Sequence, residues 1–202
     1  LKDSTPIEMT VHPRPQIVHA DLVAPQPWKN GGGQTRELLV WPSPTDWSLR
    51  VSVADIEQDG PFSPFPEVER WFAVIEGAGV VLRFADGERR LVPGDAPLVF
   101  AGAAAPDCRL IDGPTRDLNL MVRGGRGRME RAEPGVAWTP DGDRCGLFAA
   151  VAGAWRCADG AESQVPARTL VWFHEPPAGA LTFTPEARSE TSPIGWWLAV
   201  RT

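Results

Sequence analysis

Alternation of apolar and polar positions with a period of two is the dominant pattern along this chain, and it predicts β-strands. The clearest case is Trp47-Ser48-Leu49-Arg50-Val51-Ser52-Val53-Ala54-Asp55. Trp47, Leu49, Val51 and Val53 share one face there, and Ser48, Arg50, Ser52 and Ala54 share the other. Residues 117–123 repeat the pattern, setting Leu118, Leu120 and Val122 against Asp117, Asn119, Met121 and Arg123. Further short strands are expected from Thr35 through Val40 and over 70–75, 80–84 and 98–100, with turns at 76–79 and 85–88. Upstream, residues 9–27 are punctuated by proline, and only 16–19 reads as extended. Residues 60–66 carry Pro61, Pro64 and Pro66, which exclude a helix and predict a rigid loop bearing Phe62 and Phe65. No segment has a long, capped amphipathic helical period, so the chain is expected to be all-β.

An internal repeat sharpens the architecture. Shifted by 73 residues, Arg83, Ala85, Asp86 and Gly87 fall on Arg156, Ala158, Asp159 and Gly160. Without a gap, Val92-Pro93 then falls on Val165-Pro166 and Phe100 on Phe173. Average residue frequencies would supply about one such identity over this span. Leu120-Met121-Val122-Arg123 resembles Leu198-Ala199-Val200-Arg201 further on. Two related β units in tandem follow, over 9–125 and 126–202, with the charged, glycine-containing stretch 124–135 as the linker.

Composition narrows the function classes. A formal charge of -6 and a pI near 5.1 argue against nucleic acid and anionic membranes as partners. No apolar run approaches the roughly 18 residues needed to span a bilayer, and no secretory signal is visible. Cys108, Cys145 and Cys157 are odd in number and widely spaced, as expected of reduced, buried thiols in a cytoplasmic protein. Cys108 reads as a buried strand residue more readily than as a nucleophile. The five tryptophans Trp138, Trp155, Trp172, Trp196 and Trp197 read as core. The chain opens on Leu1, and Met9 is expected to be the natural start, which would leave residues 1–8 outside the fold.

The stretch Trp28-Lys29-Asn30-Gly31-Gly32-Gly33-Gln34-Thr35-Arg36-Glu37 carries the strongest candidate chemistry. Three glycines let the backbone turn tightly or approach a neighbour closely. The loop can hold Trp28, Lys29 and Asn30 at the mouth of a site, anchored by the strand that follows. It is not a phosphate loop, because no Gly-Lys-Ser/Thr follows and the next segment is strand-like.

These residues resemble the HutD/Ves family. The similarity is carried by Pro27 through Gly33 with Thr35 and Glu37, by Trp47 through Ala54, and by Asp59-Gly60-Pro61-Phe62-Ser63-Pro64-Phe65-Pro66. It continues with Arg70, with Glu76-Gly77-Ala78-Gly79, and with Asp112-Gly113-Pro114-Thr115, Asp117, Asn119, Met121 and Arg123. The resemblance implies a bicupin, two cupin barrels in tandem. It also implies a cytoplasmic protein linked to histidine utilisation, without a firmly established enzymatic activity, that senses or binds a pathway intermediate.

A cupin metal site would need paired histidines, a glutamate and a third histidine. Counting back from Gly77 puts the glutamate slot at or beside Arg70, and counting on from Pro93 puts the third histidine near Leu98. His12, His19 and His174 are the only histidines, and none is paired at ligand spacing. Arginine cannot ligate a cation and would repel one. No metal and no other cofactor is expected.

Inward-facing polar residues must then define the site. If Trp47, Leu49, Val51 and Val53 pack outward between sheets, Arg50 and Ser52 point into the barrel, and Asn119 and Met121 do likewise. Buried arginines need anionic partners. Arg50 and Arg70 therefore predict an internal carboxylate, with Glu37 able to satisfy one of them, or an acidic ligand. In the second case Lys29 assists the arginines, while Asn30, Thr35, Ser52 and Asn119 supply hydrogen bonds. Trp28, Phe62, Phe65 and Met121 form the apolar wall. The expected partner is a small anionic metabolite; within histidine breakdown, as the resemblance implies, urocanate, formiminoglutamate or N-formylglutamate. The alternative is a metal-independent enzyme acting on such an acid, with Glu37 as a weak candidate base. A monomer and a homodimer both stay open.

Overall fold

The computed structural model describes residues 14–187 and 193–201; Met9 and His12 lie outside them. Among the described residues there is no α-helix. The first eleven strands are β1 (Gln16–His19), β2 (Gln26–Pro27), β3 (Gly33–Pro42), β4 (Trp47–Ile56), β5 (Gly60–Pro61), β6 (Val68–Glu76), β7 (Val80–Phe84), β8 (Gly87–Leu91), β9 (Leu98–Ala101), β10 (Asp107–Leu110) and β11 (Thr115–Arg123). They are followed by β12 (Arg126–Arg131), β13 (Arg144–Ala149), β14 (Gly153–Cys157), β15 (Glu162–Val165), β16 (Thr169–Phe173), β17 (Leu181–Pro185) and β18 (Gly195–Arg201).

Four antiparallel sheets stack on three apolar cores. A six-stranded sheet in the order β2-β3-β4-β11-β6-β9 faces a four-stranded sheet β5-β10-β7-β8. A five-stranded sheet β1-β16-β13-β18-β12 faces a three-stranded sheet β15-β14-β17. The order β11-β6-β9 recurs as β18-β13-β16, and β10-β7-β8 recurs as β17-β14-β15. The shift of 73 residues seen in the sequence is thus a duplicated strand topology. The fold is an all-β bicupin.

Side-chain alternation explains the layering. Leu49, Val51 and Val53 of β4, with Leu118, Leu120 and Val122 of β11, meet Trp172, Trp196, Leu198 and Val200 in a central core between the two large sheets. The opposite face of the five-stranded sheet packs on the three-stranded one through Trp138, Trp155, Phe173, Phe183 and Trp197. Trp138 and Trp197 stack there with ring centroids 4.9 Å apart, so this second interior is filled by its own side chains. All five late tryptophans are buried, as expected, and so are the three free cysteines.

Two expectations need correction. Residues 124–135 are not a plain linker, because β12 pairs with β18 from Arg126↔Arg201 to Arg131↔Trp196. Its period of two was masked by charge: Met129 is buried, while Arg126 and Arg128 point to solvent. Trp47 is not part of the central core with Leu49. It opens β4 opposite Pro42, where the register slips, and its ring packs edge-on against Phe65 at 6.2 Å. β1 pairs with β16 rather than with its sequence neighbours, so residues 16–19 form an edge of the five-stranded sheet.

Candidate functional site

The polar face of the six-stranded sheet looks into the first sandwich. β11 lies between β4 and β6, and its register sets Asn119 against Ser52 on one side and Phe72 on the other, and Met121 between Arg50 and Arg70. These side chains, with the loops before β3 and after β5, enclose a cavity of about 620 Å³. Of the twelve residues expected in the site, eleven line it: Trp28, Lys29, Asn30, Thr35, Arg50, Ser52, Phe62, Phe65, Arg70, Asn119 and Met121. Glu37 stands behind the wall. Its Oε1 lies 2.5 Å from Arg50 Nη2, and its Oε2 accepts from Gln26 at 3.4 Å. Of the two arginines, Glu37 therefore satisfies Arg50, although Arg50 Nε remains buried without a hydrogen-bond partner among the described residues. A carboxylate committed to two neighbours is badly placed to serve as a base in the cavity.

Arg70 is differently placed. The residue is 7% exposed, and its guanidinium lies 4.4 Å from the centre of the Phe62 ring, with Phe72 and Phe100 beyond. Nε donates to Asn119 Oδ1 at 2.8 Å, the only hydrogen bond of this guanidinium among the described residues. Asn119 Nδ2 in turn donates to Asp117 Oδ1. Burial, opposed by the charge of Asp117, brings Arg70 down to about 10, so it stays cationic at neutral pH. Burial also pushes the Asp117 carboxyl up to about 7, against the pull of Arg70 and the hydrogen bond from Asn119. Asp117 was visible on the polar face of its strand, beside Asn119 and Met121, yet it was not among the expected site residues. Two signals pointed to it, that shared face and its place among the residues that carry the family resemblance.

The mouth is shaped by the glycine loop. Trp28 Nε1 donates to the Thr35 hydroxyl at 2.7 Å, which lays the indole over Gly33. A Cβ at Gly33 would stand 2.2 Å from the Asp55 carbonyl oxygen and 3.2 Å from the Trp28 ring, so only glycine lets strand and indole close up. Asn30 Oδ1 accepts from Gly32 N at 3.1 Å, so half of this amide holds its own loop and only Nδ2 is left for a ligand. Lys29 is exposed at the rim, and Phe65 is tied through its amide to Gly102 O at 3.0 Å.

The donor set does not fit a metal. Where the histidine and glutamate slots were counted, the structure pairs Arg70 with Phe100 and Phe72 with Leu98. His19 accepts from the Asp21 amide at the end of β1, and His174 approaches Gln16 on the far sheet, so neither reaches the cavity. Among the described residues no group of three or more His, Cys, Asp or Glu could hold an ion. No helix among them is long and apolar enough to cross a membrane.

Two stacked β-sandwiches, the first with an open interior lined by arginine and the second with an interior packed by its own aromatic rings, define a bicupin whose candidate binding cavity lies in the first. The same architecture is seen in a variant of Bacillus subtilis oxalate decarboxylase, with a TM-score of 0.61 at 10% identity over 96% of this chain and 78% of that one, a likeness of fold alone. The chain belongs to the HutD family, whose model matches residues 20–191. The structure of HutD from Pseudomonas fluorescens is similar, with a TM-score of 0.76 and 25% identity over 93% of this chain and all of that one. Among curated relatives, Protein Ves of Citrobacter koseri is 34% identical over 134 residues, 65% of this chain and 70% of that protein. A Pseudomonas putida protein described as uncharacterized, of 21.2 kDa, in the hutC 3' region is 38% identical over 110 residues, 52% of this chain and 57% of that one. That genomic position links the family to histidine utilisation.

Proposed function

We propose that the cavity binds a small carboxylate intermediate of histidine breakdown, and that its occupancy tunes flux through the pathway. Urocanate, formiminoglutamate and N-formylglutamate are the candidates. The observation that carries this reading is Arg70: a buried cation with one nitrogen engaged and Nη1 and Nη2 left without a partner among the described residues, at the wall of the cavity. A guanidinium fork that lies largely buried at a cavity wall matches a carboxylate in two parallel hydrogen bonds. Phe62, Phe65 and Met121 offer an apolar flank, and Ser52 with the free half of Asn30 offers donors at the sides. With Glu37 tied to Arg50, binding is better supported than turnover.

Calorimetry with urocanate, formiminoglutamate, N-formylglutamate and glutamate tests it. At least one of the pathway acids should bind, and Arg70→Met should weaken that binding by about 2–3 kcal/mol, roughly 30- to 160-fold, the worth of a charge-assisted pair of hydrogen bonds. Silence from all four would sink the reading.

A further inference from the structure

Two buried polar groups of the cavity wall, Arg70 and Asn119, continue behind it to Asp117, a line with one fixed cation at one end and one carboxyl at the other. Asp117 is 1% exposed and Asn119 is 2% exposed, so water screens neither. Every strand around Asp117 leaves the same balance. Its own β11 contributes Asn119, and β6 contributes Arg70. β4 contributes Asp55, a second negative charge already held by Arg36 and Arg116, and Arg50, which repels Arg70 and is itself paired with Glu37. β10 contributes Cys108, a thiol that burial pushes up to about 12 and that therefore stays neutral. Ligand-free, the line can hold one positive and one negative charge. A carboxylate seated on Arg70 would make two negative charges against one cation in a space of low dielectric, which is expensive.

Building on the carboxylate reading above, we propose that ligand binding at Arg70 is coupled to uptake of one proton by Asp117, so that the site takes up a carboxylate and a proton together. The proton comes from solvent and adds to an Asp117 carboxylate oxygen; no other bond is made or broken. Asn119 is the positioning residue that ties the two ends, since its amide contacts both. The carboxyl needs little persuasion, being already close to half-protonated near neutral pH.

Linkage fixes the sign: an anion raises the affinity of Asp117 for its proton, so protonation of Asp117 raises the affinity for the anion. Formate and N-formylglutamate serve as probes because neither titrates between pH 6 and 9. Titrated into the intact protein at pH 8, in two buffers of different ionisation heat, either should bind with net uptake of up to about one proton per site, and should bind about tenfold more tightly at pH 6 than at pH 8. Asp117→Asn should abolish both the uptake and the pH dependence while keeping the carboxylate bound. The buffer comparison on the unaltered protein stands even if that variant fails to fold. Binding with no proton uptake at pH 8 and equal affinity at both pH values overturns this proposal and spares the binding reading. No binding of either probe at any pH overturns the coupling, and silence from urocanate and formiminoglutamate as well overturns both.

Discussion

Arg70 and Asp117 show how much a single buried position is worth on this sheet. Asp117 sits on the polar face of β11, while Arg70 shares its face of β6 with the apolar Phe72 and Val74; in both strands the opposite face packs in the central core, so neither can turn away without inverting its strand. For Asp117 the folded carboxyl is raised to about 7 from an ordinary value of 3.8. Stability arising from its protonation is thus fully present below about pH 4 and lost as the pH rises through about 7. Asp55 works the other way. Burial would raise it, but hydrogen bonds from Arg116 and Arg36 prevail and hold it low, so its contribution is lost only in acid. Urea unfolding should therefore show the protein losing stability between pH 5 and pH 8, and Asp117→Asn should flatten that slope. An unchanged slope in the variant would assign the loss to another group.

At the scale of elements, the loop from Trp28 to Gly33 joins two kinds of glycine. Gly31 has φ of +71° and open space around its Cβ position, so a side chain there meets only backbone strain. Gly33 has ordinary backbone but no room. Chemical denaturation should find Gly31→Ala costing about 1 kcal/mol and Gly33→Ala costing more, about 2–3 kcal/mol, with part of it from the displaced Trp28 ring. Equal costs would mean that the close approach at Gly33 relaxes freely. β12 teaches the complementary lesson. Its alternation is genuine, but Gly127 fills the place of an apolar residue because Trp71 presses to within 3.0 Å of its Cβ position. A hydropathy pattern cannot register a side chain donated by another strand.

On the scale of the whole molecule, the central core draws side chains from both large sheets, and β1 and β12 close the edges of the far sheet. Cutting the chain after residue 125 would strip the cover from Leu49, Val51, Leu118 and Leu120. A fragment of residues 14–125 should accordingly aggregate or fail to fold, as size-exclusion chromatography and near-ultraviolet circular dichroism would show. In the intact chain Leu120→Ala should cost about 2–5 kcal/mol and leave a single calorimetric transition, because the cavity opens in the core shared by both halves. Two separated transitions would contradict that coupling.

The strands, their faces and most of the cavity lining were legible in the sequence. Period-two alternation is a property of the extended backbone itself, and Arg50, Ser52, Asn119 and Met121 declare their side within a few residues. The duplicated topology was legible for the same reason, since turn residues such as Ala85-Asp86-Gly87 and Ala158-Asp159-Gly160 obey local rules. What the tertiary structure alone decided is partnership. Glu37 on Arg50, Asn119 between Arg70 and Asp117, β12 against β18 and β1 against β16 all depend on which distant strands become neighbours and in what register. Charge pairing in a buried space is set by distances of a few ångströms between such strands, and no local pattern along one chain encodes them.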